Sequence, residues 1–186
     1  DSTVFTLEAA DSVVHDLLIA VILVAFVMLF FLHSIRNSLI VMVSIPASLI
    51  ATFIGIYLLG YTLNLMSLLG LSLVVGILVD DAIVVVENVE RNISEGLSPI
   101  AATQKAMKEV GGPVVAIALI LAAVFVPVAF AGGITGRLYQ QFAITLAVSI
   151  LISAVNALTL SPALCALLLK PHDKEHGHEH KKKNIK

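Results

Sequence analysis

Residues 76–91 read "GILVDDAIVVVENVER", a run of branched aliphatic side chains broken in its middle by two adjacent carboxylates, Asp80 and Asp81. The aliphatic part suits a helix surrounded by hydrocarbon, and an acid inside hydrocarbon costs a few kcal/mol on insertion scales (about 2.5–3.5). The two acids therefore have to face a bundle interior, a partner charge or water. The rest of the sequence decides whether this setting is membrane or soluble core.

Composition favours membrane. The 186-residue chain is 59% hydrophobic and 13% charged, with a mean hydropathy of +1.02, too apolar and too charge-poor for an ordinary soluble domain. A formal net charge of −2 gives no overall pull toward nucleic acid. The single cysteine, Cys165, lies in an apolar stretch and excludes an internal disulfide framework or thiolate cluster. The opening "DSTVFTLEAADS" has neither the basic start nor the small-residue cleavage site of a signal peptide, so the chain reads as an internal piece of a larger protein.

Five apolar runs approach or exceed the roughly 20 residues that a helix needs to cross about 30 Å of hydrocarbon: residues 13–32, 39–59, 65–87, 114–131 and 140–169. None has the period-2 alternation of a barrel wall. The expected fold is all-α, a polytopic transmembrane bundle of five spans, with residues 1–12 as a lead-in and 172–186 as a flexible His/Lys-rich tail. Between the third and fourth spans, Ser98 and Pro99 predict a cap and first-turn proline, and Ile100, Met107 and Val110 are spaced to line one side of a short helix. With Gly111, Gly112 and Pro113 as its stop, this helix, near 98–110, is expected to lie on the membrane surface.

Five crossings put Arg36, Arg91, Lys105, Lys108, Lys170, Lys174, Lys181, Lys182, Lys183 and Lys186 on one side and Arg137 alone on the other. The positive-inside rule then places the N-terminus outside the cytoplasm and the tail within it. Prolines 46, 127 and 162 and glycines 55, 70 and 76 fall inside spans, where they are tolerated and serve packing.

On the third span Ser72, Gly76 and Asp80 recur every fourth residue, a small-residue groove that a neighbouring helix can enter, with Asp80 at its end. Asp81 is rotated about 100° from Asp80, near enough to join the same polar cluster, and Glu87 returns to the Asp80 face at the cytoplasmic boundary, where a solvated role suits it. Desolvation and mutual repulsion oppose ionisation of both acids, whereas a nearby cation favours it, so their protonation is coupled and responds to what approaches. That is the requirement for a proton carrier. All eleven Lys and Arg fall outside the spans or at their edges, so a compensating cation has to come from other sequence. An acid pair that only ties helices together is the bland alternative. An ion channel with a charged lining is another. An intramembrane aspartyl protease fits poorly, because it needs carboxyls facing one another from different helices.

The weaker signals point away from chemistry. His172, His176, His178 and His180 lie in a Lys-rich tail whose spacing fixes no geometry, so no metal site is assigned. His15 and Asp16 fall near the headgroup zone. The "GGITGR" stretch lacks the G-x-x-x-x-G-K-[ST] spacing of a phosphate loop.

"GLSLVVGILVDDAIVVVENVERNI" resembles the fourth transmembrane helix of the resistance-nodulation-division (RND) exporters, in their hydrophobe/amphiphile branch. "FVPVAFAGGITGRLYQQFAITLAVSILISAVNALTLSPALCALLLKP" is similar to that family's fifth and sixth helices, and "DSTVFTLEAADSVVHD" to its lead-in to the second. The resemblance implies helices two to six of a homotrimeric inner-membrane, proton-driven multidrug antiporter without a cofactor, coupled to the H⁺ gradient. Asp80 and Asp81 would be its proton-translocating pair, working with a lysine on a second transmembrane repeat that is absent here. It also implies periplasmic substrate domains on the parent chain, a periplasmic adaptor and an outer-membrane channel. The heavy-metal branch usually keeps only the first acid, so "VDDA" points to drug export.

Overall fold

Apolar side chains that cannot be shed into water on any side leave the backbone one way to satisfy its own polar groups in a membrane, the helix. In the computed structural model, which describes residues 2–32 and 34–171, the chain forms five helices. These are α1 (Ser2–Leu32), α2 (Ile35–Leu58), α3 (Leu65–Ser94), α4 (Pro99–Ala129) and α5 (Gly133–Leu168). Four stretches, Ile35–Leu58, Leu65–Ser94, Pro99–Ala129 and Tyr139–Leu168, are long and apolar enough to cross a membrane. In α1 the corresponding apolar segment among the described residues is the shorter Leu18–Val27. The all-α polytopic bundle expected from the sequence is the observed fold; the tail, residues 172–186, lies outside the described residues.

Helix starts follow local chemistry. Asn64 caps α3 by accepting from Ser67 N, and Ser67 Oγ accepts in return from Asn64 N, a reciprocal box that satisfies two orphan donors. Ser98 caps α4, accepting from Ala101 N with Pro99 in the first turn, as the sequence predicts. Gly60 and Gly96 end α2 and α3 in turns at φ 75° and 102°, where a Cβ would be strained.

The segment 98–110 is not a separate surface helix. It is the first part of α4, which continues unbroken through Gly111, Gly112 and Pro113 to Ala129. A proline removes one backbone donor and crowds the preceding turn, and the two glycines before it leave that turn room. The stronger determinant is tertiary: Ala102, Thr103, Ala106, Val110, Val114, Ala118 and Ala122 form one buried stripe that crosses the Gly-Gly-Pro site without a break. Ile100, assigned to the apolar side by spacing, is 62% exposed. The small side chains of the stripe let α4 pack closely on α3 and α5. Likewise α3 runs past the expected end at residue 87 to Ser94. Its extra turns are tied to α4 by exposed ion pairs, Arg91 to Glu109 at 2.7 Å and Lys105 to Glu95 at 3.1 Å.

In the packing, α5 touches α2, α3 and α4, whereas among the described residues α1 contacts α2 and α3. Gly55 and Gly70 make the closest approaches: a Cβ on Gly55 would sit 3.0 Å from Val148 Cγ1, and one on Gly70 3.3 Å from Thr145 Cγ2. Nothing lies within 4 Å of such an atom on Gly112. Gly70→Leu is therefore expected to cost about 1–3 kcal/mol through overpacking against α5, and Gly112→Ala to leave stability unchanged or raise it by up to ~1 kcal/mol. Thermal unfolding of the two variants in nanodiscs, followed by circular dichroism, should give shifts of opposite sign or one shift near zero.

Candidate proton site

The acids sit near the midpoint of the 30-residue α3. Its inward stripe, Leu71, Val74, Leu78, Ala82, Val85 and Val89, is buried against the rest of the bundle. Leu65, Leu69, Leu73 and Val84 are exposed on the opposite side, in line with Ser72, Gly76, Asp80 and Glu87. The every-fourth-residue stripe read in the sequence is thus a real face of the helix, but it opens outward. A Cβ on Gly76 would meet nothing within 4 Å, so among the described residues no helix of this chain enters the groove.

The 100° between neighbours separates the two acids. Asp80 is exposed on the open face and makes no hydrogen bond among the described residues. Asp81 is half-buried at the edge of the α3–α5 contact, where the fully buried Ser153 of α5 donates to its Oδ2 at 2.5 Å. One acid therefore belongs to this bundle and the other faces out of it. Glu87 is exposed on the Asp80 face, as its solvated role requires. His15 is exposed on α1, and the side chain of Asp16 lies outside the described residues.

Sequence reasoning missed Ser153 and the polar seam beside it. Asn156 Nδ2 donates to Ser44 O at 3.0 Å and to Ser48 Oγ at 2.5 Å, and Ser44 Oγ lies 3.2 Å from Ser161 Oγ. Ser44 and Ser48 are buried on α2, so the seam joins α2 to α5 inside the bundle. The signal was present: Thr145, Ser149 and Ser153 recur every fourth residue in one span, and Ser44, Ser48 and Thr52 do so in another. Paired small polar stripes of this kind mark helix contacts in lipid.

An all-helical bundle with several apolar spans, carrying two acids at mid-span of which one is hydrogen-bonded inside, is the membrane domain of a polytopic protein. Residues 1–184 match the AcrB/AcrD/AcrF family, and the chain belongs to that family, in agreement with its RND resemblance. It is 47% identical over 182 residues to the multidrug export protein AcrF of Escherichia coli, a match covering 97% of this chain and 18% of AcrF. Against the toluene efflux pump membrane transporter TtgE of Pseudomonas putida it is 46% identical over 172 residues, 92% of this chain and 16% of TtgE. The solvent-resistant pump membrane transporter SrpB, also of Pseudomonas putida, is 46% identical over 182 residues, 97% of this chain and 17% of SrpB. The chain thus spans less than a fifth of the length of each of these relatives.

The open face can be tested on the isolated chain. A cysteine introduced as Gly76→Cys should react with a maleimide within the time a free thiol takes in the same detergent, while the fully buried native Cys165 stays unlabelled. Mass spectrometry of the two tryptic peptides reads the result, and protection of both would show the groove to be filled.

Proposed function

We propose that this chain is the proton-coupling part of one half of the membrane domain of a proton-driven multidrug efflux antiporter in the bacterial inner membrane. The observation that carries the reading is the division of labour at mid-span. Asp81 is engaged by Ser153, and Asp80 stands on a face that nothing among the described residues covers. An acid held at that depth is an expense that a purely structural helix avoids, and it is the group a proton carrier needs. The names of the relatives, a multidrug export protein and toluene and solvent pumps, speak for hydrophobic and amphiphilic compounds over metal ions as cargo.

On this reading a second transmembrane repeat of the parent chain covers the Asp80 face and supplies the cation that competes with the proton. Ser72 and Gly76 give that repeat room to approach. The energy source is the H⁺ gradient and no cofactor takes part. The ten-to-one division of Lys and Arg supports a periplasmic N-terminus and a cytoplasmic tail. The parent works as a homotrimer with its periplasmic domains, an adaptor and an outer-membrane channel.

Asp80→Asn and Asp81→Asn, each introduced into the full-length parent, should lower efflux by at least about tenfold, equivalent to ~1.4 kcal/mol or more of lost coupling, with expression and trimer assembly retained. Loss of assembly together with loss of efflux would mark the acids as structural. Passive flux through the parent that ignores the pH gradient would instead indicate a pore.

A further inference from the structure

Ser153 departs from the commoner habit of helix hydroxyls, as does Ser161, which meets Ser44 Oγ across the gap to α2. A serine or threonine in a helix ordinarily turns back to the carbonyl one turn earlier. On α5, Ser149 donates to Thr145 O at 2.6 Å and Thr159 to Val155 O at 2.6 Å. Ser44 and Thr52 do the same on α2. The hydroxyl of Ser153 has the same local option at Ser149 O, and it donates across the helix gap to Asp81 instead. A carboxylate is the stronger acceptor, but it can compete only where α5 is held at the rotation and height that bring the hydroxyl to it.

The placement has a visible cause three residues further on. Asn156 is rotated about 60° from Ser153 around the α5 axis, so one turn of α5 presents Ser153 to α3 and Asn156 to α2. Its Nδ2 bridges Ser44 O and Ser48 Oγ, two acceptors one turn apart on α2. The bidentate grip fixes both rotation and height of α5: a slide of one residue, about 1.5 Å, breaks both bonds. Close packing at Gly55 and Gly70 also holds α5 in place, and the directional amide bonds add a polar constraint in the turn that carries Ser153.

We propose that Asn156 is a positioning residue for the proton site, clamping α5 to α2 so that the Ser153 hydroxyl is presented to Asp81. The inference rests on the reading of Asp81 as a proton-binding group. Asn156 does not touch the acid; it acts through Ser153.

The test uses the full-length parent in nanodiscs and infrared difference spectra across an acid titration, with the carboxyl C=O band of Asp81 identified as the one lost in Asp81→Asn. Ser153→Ala gives the band position of the acid without its serine. Asn156→Leu should move the band to that same position with the trimer intact, and Ser48→Ala, which removes one of the two acceptors, should move it part of the way. Ser153→Ala combined with Asn156→Leu should shift it no further than Ser153→Ala alone. A band left at its wild-type position in Asn156→Leu, or an additive shift in the double variant, overturns the proposal. Should Asn156→Leu fail to assemble, Ser48→Ala decides, and an unmoved band there is equally fatal. If Asp81→Asn removes no band at all, the reading of Asp81 as a proton-binding group is what fails.

Discussion

Hydrocarbon offers no hydrogen bonds, so each polar side chain placed between membrane helices has to find its partner in the protein, and the partner fixes where the helices sit. In this chain that constraint converges on α5. Among the described residues, the side-chain hydrogen bonds joining different helices within the apolar spans all have α5 at one end: Ser153 to Asp81, Asn156 to Ser44 and Ser48, and Ser161 with Ser44. The helix–helix polar contacts without α5 lie at the other level, where the ends of α3 and α4 are joined by Arg91–Glu109, Lys105–Glu95 and the Asn92 amide on Ala102 O. The first group is buried or half-buried between helices; the ion pairs of the second are exposed, screened by salt and worth little each.

The magnitudes assign these groups different tasks. Inter-helix hydrogen bonds in membrane proteins average about 0.6 kcal/mol and reach ~1.7. Three or four of them around α5 are comparable in sum to the insertion cost of one charged residue at mid-membrane, about 2.5–3.5 kcal/mol. The seam can therefore sustain one awkward polar group in this bundle. Among the described residues, Asp81 is the acid that has a side-chain hydrogen-bond partner.

The fold was legible because its signal is collective. Four helices coincide with long apolar runs, and the caps at Asn64 and Ser98 follow from short-range chemistry that needs no tertiary information. The stop assigned to Gly111, Gly112 and Pro113 failed for the opposite reason. A local breaker was outweighed by a buried alanine-rich stripe; of the three residues picked by spacing, Val110 lies on that stripe and Met107 packs beside the core, while Ile100 is exposed. At the site, the small-residue period correctly put Ser72, Gly76 and Asp80 on one face, yet period alone does not say whether a face is covered by its own chain or left open. Ser153 and Asn156 escaped notice because a lone serine or asparagine in an apolar run has little meaning by itself; only pairing it with the matching stripe on α2 or the acid on α3 supplies one.

Adjacency of the acids follows from the same geometry. Two carboxyls spaced four apart on α3 would share a face, and both would turn either into this bundle or out of it. Side by side they differ by about 100°, which lets one be held by α5 while its neighbour remains available to whatever covers the open stripe. A charge change at the outer acid is then felt at the inner one across a single peptide unit. Ser153 is hydrogen-bonded to that inner acid, and one turn of α5 separates it from the Asn156 grip on α2. Neighbouring positions on one helix are the shortest arrangement by which a backbone can turn one acid toward its own bundle and the other away from it.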